Sequence, residues 1–110
     1  MKFQVSLAEA MQQLETEKKN RFIAVMKHGS MVAEYYAPLK TDPQTPHEQD
    51  ELYIVVRGSG FFYRDGKQTH CKAGDLLFVP AAMEHRFEDF TEDFAVWVIF
   101  YGPPGGERAP

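Results

Sequence analysis

The sequence predicts an all-β sandwich or barrel with one short helix at its N-terminus. Three observations carry this: short apolar stretches recur at near-regular spacing, turn signals separate them, and no helical period follows residue 20. The 110 residues suit a single domain with one modest core. Ser6-Leu7-Ala8-Glu9 has the form of a capping box, and Leu7, Ala10, Met11 and Leu14 then follow at helical spacing. These residues predict an amphipathic helix over 7–17, with Lys18, Lys19 and Asn20 as its basic C-terminal end.

Extended segments are expected at 21–27 and 31–37, joined around His28-Gly29-Ser30. Residues 38–46 hold three prolines and are read as loop. Strand signals then recur at 51–57, 60–64, 68–72, 76–79, 85–88 and 94–101, with Asp65-Gly66 as the strongest hairpin turn. The expected organisation is an N-terminal segment over 1–20, a barrel over 21–101 and a mobile tail over 102–110. Two strands are apolar on both parities: Tyr53 and Val55 alternate with Leu52, Ile54 and Val56, while Phe94, Val96, Val98 and Phe100 alternate with Ala95, Trp97, Ile99 and Tyr101. A half-solvated strand alternates apolar with polar residues, so both faces need cover. The helix supplies part of it, and a second copy in a homodimer is expected to supply the rest.

Composition excludes several functions. A net charge of −4, without a long basic run, disfavours nucleic acid and anionic membranes as partners. No apolar stretch approaches the ~18 residues that span a bilayer. Cys71 is the single cysteine, which fits a reducing compartment, and the opening residues do not read as a signal peptide. The expectation is a cytoplasmic protein acting on a small molecule.

His47, Glu51 and His85 carry the chemistry. Glu51 shares the parity of Tyr53 and Val55, which directs its carboxylate inward, and burial of a lone carboxylate is costly unless it is paired or bound to a metal. His85 meets the same difficulty on a short strand after Val79-Pro80-Ala81-Ala82. A metal ion relieves both. Tyr53, Arg57, Phe78, Phe87 and Trp97 are candidate pocket residues, although aromatic residues of this kind are more often core than substrate-stacking. Arg57 and Arg86 suit either a substrate carboxylate or a structural ion pair. His28, His70 and Cys71 are read as ordinary turn, surface or packing residues.

These residues resemble the two motifs of the cupins, small jelly-roll β-barrels. In the first motif His47 takes the second His position, Glu51 follows after three residues and Gly58 after six more; in the second, Gly74, Pro80 and His85 hold their places. The resemblance covers roughly residues 30–101. Four positions depart from it: the first His falls on Thr45, the opening Gly on Leu39, the second-motif Gly on Ala82 and the closing Asn on Asp89. The resemblance therefore implies a two-His-one-carboxylate site rather than four ligands. Such a set suits Fe(II), with Mn, Ni or Zn as variants, and leaves positions open for substrate and dioxygen. Gln44, Thr45, Gln49 and Asp50 are candidate auxiliary ligands. The expected function is an Fe(II)-dependent dioxygenase. A Lewis-acid isomerase or lyase, or a non-catalytic ligand sensor, is the alternative.

Overall fold

The structure, a computed structural model, describes residues 2–108; Ala109 and Pro110, the end of the expected tail, lie outside the described residues, as does Met1. One helix, α1 (Leu7–Thr16), precedes eight described strands: β1 (Phe22–His28), β2 (Met31–Tyr36), β3 (Asp50–Arg57), β4 (Ser59–Arg64), β5 (Lys67–Lys72), β6 (Leu76–Val79), β7 (His85–Glu88) and β8 (Ala95–Tyr101). They form two antiparallel sheets, β1-β2-β8-β3-β6 and β5-β4-β7. This is the expected all-β jelly-roll arrangement. No helix among the described residues is long and apolar enough to cross a membrane.

Local signals explain most boundaries. Ser6 caps α1 through its hydroxyl, which accepts from the Glu9 N–H, while the Glu9 carboxylate accepts from the Ser6 N–H. Asp65 and Gly66 both take positive φ, as a tight two-residue hairpin between β4 and β5 requires. Gly58 closes the turn after β3 at φ +70°, where an added Cβ would stand 2.2 Å from Thr91 Oγ1. No other residue fits there. Ala82, at the position where cupins carry glycine, nevertheless adopts φ 68°.

Two details differ from the sequence reading. The helix ends at Thr16, so Lys18, Lys19 and Asn20 lie beyond it; the Glu17 carboxylate accepts from the Lys19 and Asn20 N–H groups and turns the chain away. The tail is tied down at two points, since the Gly105 N–H donates to the Glu48 carbonyl and the Glu107 N–H to Asp50 Oδ2.

The core has two parts. Between the sheets lie Tyr36, Tyr53, Val55, Phe62, Val79, Phe87, Phe94, Val96 and Val98. On the outer face of the larger sheet, Ala10 and Leu14 of α1 pack on Tyr35, Ala95, Val56 and Trp97. The helix covers only that half. Leu52 and Ile54 pair in register with Phe78 and Leu76, and these two are 47% and 66% exposed.

Candidate metal centre

Glu51 enters the site because β3 directs alternate residues inward, and its partners on that parity, Tyr53 and Val55, are core. Its side chain is fully buried. His85 opens β7 on the facing sheet and is 2% exposed. His47 comes from the loop before β3, where its carbonyl accepts the Ala82 N–H at 2.7 Å. That bond joins the loop to the β6–β7 turn, so the left-handed Ala82 helps place His47 through its backbone N–H. One potential ligand atom from each of His47, Glu51 and His85 lies within 4.8 Å of the others.

The protonation of His85 is decisive. Its Nδ1 lies 2.8 Å from the Met83 carbonyl, which can only accept, so Nδ1 carries a proton. Nε2 stands 2.7 Å from Glu51 Oε1, yet Nε2 and both Glu51 carboxylate oxygens have no hydrogen-bond partner among the described residues. A ring lone pair and a carboxylate at that distance need a cation between them. Burial disfavours the charged ring, but Glu51 and the Met83 carbonyl outweigh it and raise the His85 pKa above its ordinary value. Either a proton or a metal ion satisfies the pair, and imidazole, imidazole and carboxylate form a donor set that fits a transition metal.

Beside the cluster lies a cavity of about 870 Å³, lined by His47, Gln44, Glu34, Tyr36, Phe100 and Val98 and, toward one rim, Lys19 and Arg21. Of the three candidate ligands, His47 lines it, while Glu51 and His85 are buried and do not line it. Phe100 packs edge-on against His47 at 4.9 Å between ring centroids. Glu34 is half-buried, and desolvation together with the nearby Glu51 carboxylate raises its pKa.

The candidate pocket residues divide. Tyr53 and Phe87 sit beneath the cluster: the Tyr53 ring lies 6.0 Å from His85 and 5.0 Å from Phe87. Trp97 does not belong to the pocket. It points to the outer face and stacks edge-on against Tyr35, because β8 buries both parities and Trp97 takes the helix side. Phe78 is likewise on the outer, exposed face, and Arg57 lies at the far end of β3, outside the cavity lining. Arg86 is structural, paired with Glu88 and Glu84 and stacked over Tyr63. Cys71 is buried in the core and its thiol is pushed up to about 11, first by desolvation and then by Asp75, which keeps it protonated near neutral pH.

The auxiliary candidates separate as clearly. Thr45 and Gln49 line the same cavity as His47, but Thr45 is exposed and Gln49 donates to the Ser30 and Gly102 carbonyls, while Asp50 accepts from the Ala81 and Glu107 N–H groups. Gln44 turns inward. Sequence reasoning missed Asp42 and Glu34 as site residues. Asp42 hides in a proline-rich loop, but the inward parity of Glu34, between Val32 and Tyr36, was a readable signal.

A family profile described as a cupin domain matches residues 33–101. The chain belongs to the cupin family. A cupin-2 conserved barrel protein of Salinispora arenicola has the same fold, with a TM-score of 0.68 over 93% of this chain and 89% of that one at 17% identity. An uncharacterized protein of Streptomyces coelicolor is 40% identical over 63 residues, which is 57% of this cupin and 60% of the relative. Acireductone dioxygenase 1 of Pectobacterium atrosepticum is 46% identical over 65 residues, or 54% of this cupin. The cupin spans only 37% of that enzyme's length.

Proposed function

We propose that this cupin is a metal-dependent small-molecule enzyme of the Fe(II) dioxygenase type, with His47, Glu51 and His85 as ligands. The observation that carries this is a buried cluster in which His85 Nε2 faces Glu51 Oε1 at 2.7 Å, with no other partner for either atom or for Glu51 Oε2 among the described residues. A protein that buries such groups without a use for them forfeits stability. The name of the Pectobacterium relative supports the same chemistry.

A bound metal would supply a redox centre with open coordination positions. The chain's residues do the rest. Met83 holds the His85 ring so that Nε2 faces inward. Phe100 and Val98 give the cavity an apolar wall near His47, which limits water there. Burial and then Glu51 push the Tyr53 phenol well above its ordinary range, so it stays protonated and donates to Gln44 Oε1. Glu34, with its raised pKa, is suited to hold a proton at its carboxyl facing the cavity. Lys19 and Arg21 at the rim suit a substrate that carries an anionic group at one end.

The test is metal analysis of purified protein after reconstitution with Fe(II), Mn(II), Ni(II) and Zn(II), followed by oxygen-electrode assays with catechols, thiols and β-diketones. One equivalent of metal and oxygen uptake on one of these classes are expected, and His85→Ala should lower metal affinity at least about 100-fold. Failure of every metal to bind would overturn the reading. Metal binding without oxygen uptake would redirect it to a Lewis-acid isomerase or a ligand sensor.

A further inference from the structure

We infer that Gln44 is a fourth metal ligand, through Oε1, and that Asp42 is the positioning residue that aims it. This inference rests on metal binding by His47, Glu51 and His85. Asp42 is 8% exposed and its carboxylate accepts from the Tyr36 hydroxyl, from the Gln44 N–H at 3.3 Å, from Gln44 Nε2 at 2.7 Å and from the Phe87 N–H at 2.8 Å. A carboxylate only accepts, so the amide must offer it the nitrogen end. The oxygen end is thereby turned the other way, 2.8 Å from the Tyr53 hydroxyl and 3.3 Å from His47 Nε2.

That last distance is informative. Two ligands at about 2.1 Å from one ion and at right angles to each other lie about 3 Å apart. The Gln44–His47 spacing is close to this, as is the 2.7 Å between His85 Nε2 and Glu51 Oε1. A His47 Nε2 that binds metal carries no proton, so it cannot donate to Gln44. Two acceptors would then face each other, and a shared cation relieves them. Tyr53 occupies one lone pair of the amide oxygen and leaves the second free. Gln44 thus fills the place that opens when the cupin first-motif histidine is replaced by Thr45, whose side chain is exposed.

The experiment titrates metal-free protein with Co(II) and Ni(II), read by calorimetry and by the visible Co(II) spectrum. Four proteins are compared: the unaltered chain, Gln44→Leu, Gln44→Glu and Thr45→Val. Gln44→Leu should weaken binding about 10–100-fold and change the Co(II) bands. Gln44→Glu puts a charged oxygen in place of a neutral one and should shift the Co(II) bands while binding at least as tightly as the unaltered chain. Thr45→Val removes the exposed hydroxyl at the first-histidine position and should stay within about threefold with unchanged bands. Co(II) bands unaltered in both Gln44 variants would overturn the assignment, as would a Thr45→Val variant that mimics Gln44→Leu. If the unaltered chain takes up neither metal, the three-ligand reading itself is overturned. Should Gln44→Leu not fold, the band shift of Gln44→Glu against the unshifted bands of Thr45→Val still decides the matter.

Discussion

The two faces of β3 and β8 are built from similar residues and put to opposite uses. On the inner face Tyr53, Val55, Val96 and Val98 share the core with Glu51, a buried carboxylate whose one close polar neighbour among the described residues is His85 Nε2. On the outer face the residues are nearly all apolar. Half of that face is sealed by Ala10 and Leu14 of α1, and half ends at the exposed Leu76 and Phe78. The inner face sacrifices stability to hold a reactive group, whereas the covered outer half contributes stability. Hydrophobicity by itself therefore does not mark the site. The polar atom that burial leaves unpaired does.

This contrast can be broken most forcefully on the covered outer half. Leu14→Ala removes a 6% exposed side chain from the helix contact and should cost about 2–5 kcal/mol in urea unfolding. Metal uptake by the folded variant should be unchanged, and a loss of uptake would show that the two faces are not independent. On the inner face the sign reverses. Glu51→Leu combined with His85→Leu should leave metal-free stability unchanged or raise it by up to about 4 kcal/mol while abolishing metal binding. A clearly destabilised double variant would mean that the pair is retained for the fold.

A subtler test uses pH. The folded His85 pKa lies above its ordinary 6.5, so the proton that His85 binds favours the folded metal-free protein, most fully below about pH 6.5. That contribution is lost as pH rises through the raised value. Metal must displace the same proton, so metal affinity should move the opposite way and weaken as pH falls through that window. Melting temperatures of chelator-treated protein that do not decline across this range would sink the assignment. The smallest effect belongs to the bare outer half, where we propose that a second copy packs. Leu76→Ser with Phe78→Ser should change monomer stability by only about 0.5 kcal/mol. The same variant should convert a dimeric mass to that of the 12.6 kDa chain in sedimentation. A monomeric unaltered protein would remove the dimer from consideration.

Much of the backbone is legible in the residues themselves. The helix expected over 7–17 spans 7–16, the strands expected at 76–79 and 85–88 are found there, and Asp65-Gly66 makes its hairpin. These features rest on local signals: a capping box, a turn dipeptide, a run of β-formers. Glu51 was legible because its parity matches Tyr53 and Val55, and His47 and His85 because of their spacing from Gly58 and Gly74. Trp97 was misplaced for a definite reason. In a strand apolar on both parities nothing in the sequence says which set faces the site, and only the position of α1 decides. Phe78 fails in the same way, and Arg57 because distance along β3 is not proximity to the metal ligands.

The sequence by itself determined the elements, the family and the three candidate ligands, since each depends on residue type at short range or on motif spacing. Tertiary structure alone decided which auxiliary donor turns inward. Asp42 meets Gln44, Tyr36 and the backbone of Phe87, and the last of these contacts joins positions 45 residues apart in the chain. The orientation of one amide thus depends on the closure of two sheets, and no local pattern encodes it.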